Sequence, residues 1–376
     1  MKNKSNTNFN GYIEGYYGKL LNWENRKKIV KSLAKNNMAA YFYAPKEDIK
    51  HRIKWRESYS KKWRQEFRSF VQFSNLNNVK VIAGIAPGLD FDFTNFFLKS
   101  DFQNHSDFNF LVKKVKQFLY DGADCIALLL DDIPDSFCRN NKNFLSEGES
   151  HGILVNKLSS MLNIKIYFVP RIYANELIYN TPQYILDLSK SISNQATIFY
   201  CGQNVVSKSI KLNHIKHLRK LMSNKIIFWD NFYANDYCPR RIFLGPWKGR
   251  NNINNIFFNP TGMINTDLFL IDVIGHSIKL KDHKKGYKNA LIANNIPKQF
   301  NQLLKFFNAP TFNDNLSIKK LIYTKQTLKF TSKKPTIKNS KPNHRHTTSF
   351  AYALLSKQSF PTLICIQWMA PTIEVI

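Results

Sequence analysis

Two adjacent carboxylates, Asp131 and Asp132, close the apolar run Cys125-Ile126-Ala127-Leu128-Leu129-Leu130 and precede Ile133-Pro134. The run is too short for a typical helix and reads as a buried parallel strand, because a strand covered on both faces needs no polar alternation. Pro134 stops any regular continuation. The acids therefore stand at the carboxyl end of a strand, where α/β barrels and open α/β sheets place their sites. Such a pair fits glycoside cleavage, one carboxyl protonating a leaving oxygen while the second handles charge at the anomeric side. Like charges this close should raise one pKa and leave one acid protonated near neutrality. A plain loop pair, with one Asp capping a following helix, is the simpler alternative. With Asp135 the run also spells D-D-x-x-D, a spacing that holds Mg²⁺ on diphosphates when i and i+4 share a helix face. Here an apolar strand precedes it and Pro134 lies inside it, so no metal is expected.

A strand-end site needs other strands around it. Short apolar runs at residues 11–16, 39–44, 79–86, 125–130, 164–169, 197–201, 225–229 and 253–258 are separated by polar, helix-length stretches. That cadence is a βα repeat. Helices are expected at residues 23–35, 60–75, 107–120 and 212–222, with a last barrel helix at 264–280 and another helix at 299–308. Eight βα units in this span fit a (β/α)8 TIM barrel, for which about 250 residues is typical. Almost every run also ends in chemistry-bearing residues: Glu14-Gly15-Tyr16-Tyr17-Gly18, Pro45-Lys46-Glu47-Asp48, Pro87-Gly88-Leu89-Asp90, Pro170-Arg171-Ile172-Tyr173, Cys201-Gly202-Gln203-Asn204, Asp230-Asn231 and Asn259-Pro260. In a barrel these ends converge on one face around one pocket.

With 376 residues, 43% of them hydrophobic and 14% aromatic, the chain can build one large core. We expect a disordered N-terminus over residues 1–10, the catalytic barrel over 11–282, a short helical extension over 283–330, and a basic linker with an ill-defined tail over 331–376. The tail reads either as an edge appendage or as the product of a shifted frame. The net charge of +29 would ordinarily point to a polyanion. The basic residues are spread along the whole chain rather than gathered in an arm, so neither nucleic acid nor a membrane is expected as partner. Cys125, Cys138, Cys201, Cys238 and Cys365 are odd in number and lack C-x-x-C spacing, which indicates neither a disulfide framework nor a zinc site. His214-x-x-His217 and His344-x-His346 lack ligand partners at the right spacing. The polar start carries no signal-like segment and no run reaches membrane-spanning length, so a reducing cytoplasm is the expected compartment.

Five ordered blocks across roughly residues 11–275 carry a resemblance to a known family. Glu14-Gly15-Tyr16-Tyr17-Gly18, the stretch from Tyr43-Ala44-Pro45-Lys46 through His51-Arg52 to Trp55-Arg56-Glu57, and Leu130-Asp131-Asp132-Ile133 resemble glycoside hydrolase family 84, the O-GlcNAcases and their hyaluronidase-named bacterial relatives. Trp229-Asp230-Asn231-Phe232-Tyr233-Ala234-Asn235-Asp236-Tyr237 and Leu244-Gly245-Pro246-Trp247-Lys248-Gly249-Arg250 are more similar still. The resemblance implies retaining hydrolysis of a terminal β-linked N-acetylglucosamine without cofactor, in which the substrate's acetamido oxygen forms an oxazoline. It implies that Asp131 orients and polarises the acetamido N–H and that Asp132 is the general acid/base. It further implies that Gly15 lets backbone approach a sugar hydroxyl, that Lys46, Asn231 and Asp236 bind hydroxyls, that Tyr173 binds the acetamido carbonyl, and that Tyr17 and Trp229 line the pocket. The implied partner is an N-acetylglucosamine-bearing glycoside or glycoprotein.

The chain departs from that pattern at several positions. Arg171-Ile172 replace a usual Thr-Glu, Cys201 stands where threonine is common, and counting from Asn259-Pro260 puts Asp267 where a sugar-binding asparagine is expected. The family's further domains are expected to be missing or truncated, which would favour small glycosides over glycoproteins. Two other activities stay open: an endo-acting, hyaluronidase-type glycosidase, and a catalytically weak sugar-binding module.

Overall fold

The computed structural model describes residues 9–93, 96, 105–134, 146–179, 181–238, 242–250, 253–297, 300 and 307. The linker and tail expected over 331–376, most of the helix expected over 299–308, and Asp135 lie outside the described residues. Eight parallel strands close into a barrel in sequence order: β1 (Gly11–Glu14), β2 (Ala40–Tyr43), β3 (Lys80–Ile85), β4 (Cys125–Leu129), β5 (Ile166–Val169), β6 (Thr197–Tyr200), β7 (Lys225–Asp230) and β8 (Ile256–Phe258). Pairing of Gly11 with Phe257 and Tyr12 with Phe258 seals the ring. The TIM-barrel expectation holds, with seven of the expected strands shortened at one or both ends and β7 longer by one residue.

The helices that cover the strands are α1 (Trp23–Lys35), α2 (Lys61–Leu76), α3 (Ser106–Tyr120), α4 (Glu147–Leu162), α5 (Asn175–Ile178), α6 (Pro182–Ser191), α7 (Lys216–Leu221), α8 (Ile264–Leu280) and α9 (His283–Ala293). The helix expected over 212–222 is split into a 3₁₀ turn, Leu212–Ile215, and the short α7. Between β7 and β8 no helix occurs among the described residues. The described residues of that connection run through turns, so the seventh unit is not the regular βα repeat that the cadence implied. Several helix starts follow from capping: the side chains of Asn22, Ser60 and Ser146 each accept a hydrogen bond from a first-turn N–H. No described helix is long and apolar enough to cross a membrane.

Strand alternation divides the apolar residues into two sets. Ile13, Phe42, Ile82, Leu129, Phe199, Ile227, Trp229 and Phe257 fill the barrel interior. Their neighbours Tyr12, Tyr41, Val81, Leu128, Ile198, Phe228 and Phe258 pack outward under the helices. Inside, Phe199 meets Phe257 edge-on at 5.3 Å and Phe42 at 5.2 Å, and Phe42 lies 5.9 Å from Trp229. These rings plug the barrel and make a rigid floor for whatever sits at the strand ends.

Candidate active site

The same alternation aims the acids. Leu129 faces inward and Leu130 outward, so Asp131 falls on the inward side by parity alone. An extended backbone would turn Asp132 away. Instead Asp132 takes φ +53°, a left-handed conformation that Asp tolerates better than most residues, and both carboxyls line one cavity of about 300 Å³. That volume lies at the lower end of small-molecule sites.

Asp131 is buried. Its Oδ2 accepts from Lys46 Nζ at 2.6 Å, whereas its buried Oδ1 has no hydrogen-bond partner among the described residues. Lys46 also stands 3.4 Å from Asp132 Oδ2. The Asp132 carboxyl accepts from the Tyr173 hydroxyl at Oδ1, 2.9 Å, and from the Tyr17 hydroxyl at Oδ2, 3.1 Å. Burial raises the Asp131 pKa, and the pull of Lys46 does not cancel it. Burial also acts on Asp132, but Lys46 and the two tyrosine hydroxyls outweigh it and hold that carboxyl below the usual range. The two carboxyls are thus pushed in opposite directions, Asp131 up by burial first and only then by its like-charged neighbour, and Asp132 down. Lys46 is lowered by burial but held above its ordinary value on balance by Asp131 and Asp132, and stays charged.

The opposite wall comes from β1 and from the ends of β6, β7 and β8. Trp229 Nε1 donates to Asn231 Oδ1 at 2.8 Å, and Asn259 Nδ2 donates to the same oxygen at 3.1 Å. Asn231 Nδ2 donates to the Val205 carbonyl at 3.0 Å and reaches Cys201 Sγ at 3.7 Å. Gly15 N–H donates to Asn259 Oδ1 at 3.2 Å. A Cβ on Gly15 would lie 2.8 Å from the Trp229 ring, so the missing side chain is what lets strand and indole meet. Asp236 Oδ2 accepts from Tyr17 N–H at 3.0 Å, tying the rim of β1 to the β7–β8 connection. Burial pushes the Cys201 thiol well up; it remains a neutral apolar wall rather than a nucleophile.

Of the site residues expected from sequence, Asp131, Asp132, Gly15, Lys46, Tyr173, Asn231, Asp236, Tyr17, Trp229 and Cys201 all line this cavity. Asp267 does not. It is fully buried at the start of α8, where it accepts from Tyr12 OH, Thr261 N, Thr261 Oγ1 and Gly262 N. Counting onward from Asn259-Pro260 overshot: Asn259 itself lines the cavity, and its place at a strand end was the signal available. Arg171 also turns away, pairing with buried Glu147, and Ile172 is core. Neither departure reaches the cavity wall.

Burial of Asp267 outweighs its four hydrogen bonds and pushes the carboxyl up to about 6, against about 3.9 in an unfolded chain. A raised acid favours folding most below its unfolded pKa and loses that advantage as pH climbs through the folded value. The stability of the wild type relative to Asp267→Asn, followed by urea unfolding, is therefore expected to decline between about pH 4 and pH 6 by on the order of 2–3 kcal/mol. A difference that stays flat or grows over that window would contradict this.

A family model described as beta-N-acetylglucosaminidase matches residues 10–266. Protein O-GlcNAcase of Mus musculus is 32% identical over 261 residues, covering 66% of this chain and 28% of the mouse protein. Protein O-GlcNAcase of Rattus norvegicus is 31% identical over a segment of the same length and share. The chain thus spans less than a third of these mammalian relatives. The solved structure of a mutant O-GlcNAc hydrolase from Thermobaculum terrenum superposes with a TM-score of 0.71 at 21% identity, covering 86% of this chain and 72% of that one. This last likeness bears on the fold.

Proposed function

The chain belongs to the beta-N-acetylglucosaminidase family of glycoside hydrolases, and from that premise we propose that it removes terminal β-linked N-acetylglucosamine from glycosides or glycoproteins by substrate-assisted hydrolysis with retention of configuration. The observation that carries this reading is Asp131 Oδ1, a buried carboxylate oxygen beside the cavity with no partner among the described residues. Leaving such an acceptor unsatisfied costs about 1–3 kcal/mol or more. An acetamido N–H would satisfy it, and Lys46 on the other oxygen fixes the carboxylate for that contact.

The chemistry follows in two steps. The acetamido oxygen attacks the anomeric carbon as the bond to the leaving oxygen breaks, and Asp132 supplies the proton that leaving group needs. Positive charge grows on the acetamido nitrogen, where the Asp131 anion lowers its energy in a site that the sugar has emptied of water. In the second step Asp132 takes a proton from water, which attacks the anomeric carbon and reopens the oxazoline. Two inversions give retention, and no enzyme nucleophile is needed, an exception to the usual carboxylate pair.

Asp132 must be protonated in the complex although its protein neighbours favour its anion. Substrate binding supplies the change. An acetamido carbonyl that claims the Tyr173 hydroxyl removes a donor from Asp132, and displaced water takes hydration away from its charged form; both raise its pKa. The ring hydroxyls meet Lys46, Asn231, Asp236 and Asn259, groups that would be left unpaired by a sugar lacking those hydroxyls. Cys201, Val205 and Val206 back the N-acyl end as apolar surface.

The direct test is turnover of an aryl β-N-acetylglucosaminide followed by proton NMR. First release of the β-anomer of free N-acetylglucosamine is the expected result. An α-anomer as first product, or shortening of a glycan polymer before any monosaccharide appears, would overturn the reading.

A further inference from the structure

We propose that Arg52 is a positioning residue for the proton-donating carboxyl, holding Asp132 at its backbone carbonyl directly and at its side chain through Tyr17. This rests on the role given to Asp132 above. Arg52 NH2 donates to the Asp132 carbonyl at 2.5 Å, and NH1 donates to the Tyr17 hydroxyl at 2.6 Å. That hydroxyl spends its own proton on Asp132 Oδ2. One planar fork therefore grips both ends of a residue whose φ of +53° is the reason both acids reach the cavity.

The arrangement separates the two oxygens of Asp132. The hydroxyl on Oδ1 belongs to Tyr173, which the acetamido carbonyl is expected to claim. The hydroxyl on Oδ2 is backed by Arg52 and has no reason to leave, so Oδ1 is the oxygen left to carry the proton. Tyr17 alone could not supply this anchor, because the residue is 43% exposed at the rim; a guanidinium donating to its oxygen both pins the ring and polarises the O–H.

Arg52 is itself held firmly, on the loop that follows β2. His51 Nδ1 donates to the Gly84 carbonyl at 3.0 Å and the His51 carbonyl accepts from Ala86 N–H at 2.9 Å, fastening the loop to β3. Asp48 accepts from Tyr43 OH and Tyr59 OH, and buried Lys114 of α3 donates to the Lys50 and Glu57 carbonyls. A lysine at position 52 would keep the charge and one donor but could not bridge two acceptors in fixed geometry.

The experiment is a leaving-group series of aryl β-N-acetylglucosaminides, from dinitrophenyl to phenyl, with wild type, Arg52→Lys, Arg52→Met, Tyr17→Phe and Asp132→Asn. A mispositioned proton donor matters only when the leaving group needs a proton. Arg52→Met is therefore expected to fall on the order of 10²-fold in kcat on the phenyl glycoside and only a few-fold on the dinitrophenyl one, with Arg52→Lys between it and wild type. An equal loss on both substrates would reduce Arg52 to loop architecture and overturn the proposal. If Arg52→Met does not fold, Arg52→Lys and Tyr17→Phe carry the same comparison, and a flat profile in both overturns it. Failure of the parent reading looks different, as wild type then shows no turnover or Asp132→Asn shows no leaving-group dependence.

Discussion

Asp132→Asn is expected to lose about 10²–10⁴-fold in kcat on a phenyl β-N-acetylglucosaminide, the range of a missing general acid, or about 3–5 kcal/mol of barrier. On a dinitrophenyl glycoside the first step needs no proton, and much of the loss should vanish until departure of the oxazoline becomes limiting. Asp131→Asn is expected to lose a similar factor with a different signature. Its carboxylate acts on the acetamido nitrogen, whichever aglycone leaves, so its loss should be nearly uniform along the series. The asparagine also presents an amide where an anion faces a developing cation, and Lys46 keeps only Asp132 as its counter-charge. Equal rates for both variants and wild type would remove the whole assignment. An inverted pattern, with Asp131→Asn carrying the leaving-group dependence, would exchange the two roles, and the upward push of burial on the Asp131 carboxyl makes that a sharp question to put to the protein.

How far the sequence could be read depended on whether a feature is local. β4 announced itself because six consecutive apolar residues need two covered faces, and Asp131 inherits its direction from that strand's parity. Lys46, Tyr173, Asn231 and Asp236 could be placed because each stands at or just after a strand end, where the barrel gathers them. Asp267 was misplaced for the complementary reason: counting along a chain that turns at Thr261-Gly262 into a helix says nothing about which side of the barrel wall is reached. Its real partners, Tyr12 on β1 and the Thr261-Gly262 backbone, are set by closure of the barrel between β1 and β8. The left-handed turn at Asp132 and the grip of Arg52 on it were likewise invisible, because 80 residues separate donor from acceptor. The described turns of the β7–β8 connection escaped because they are tied by the buried Asp230–Arg250 pair rather than by an apolar period.

That connection hangs on Asp230, and Asp230→Ala is expected to cost about 3–5 kcal/mol of folding stability, the range for leaving a buried charge without its partner. Asp230 and the Arg250 side chain are essentially inaccessible, with Arg250 NH2 2.8 Å from Oδ1 and Nε 3.1 Å from Oδ2. The carboxylate also takes Trp247 Nε1 at 2.8 Å and Phe232 N–H at 3.2 Å. Removing it strands a guanidinium that still donates to the carbonyls of Ser207, Lys208 and Lys248, so the charge cannot swing out to water without breaking those bonds. The usual remedy, replacing both partners by apolar residues, should fail here: Asp230→Leu with Arg250→Met would orphan the same carbonyls, and the double variant is expected to be no more stable than Asp230→Ala. The damage should also reach the site. Asn231 follows Asp230 directly, and Asp236 lies in the connection that the pair ties down, so the variant is expected to show a raised KM for an aryl glycoside under conditions where it remains folded. Urea unfolding that finds a loss below about 1 kcal/mol, the ordinary value for a surface ion pair, would mean that Arg250 is solvated in the folded protein and that the connection is held by its turns alone.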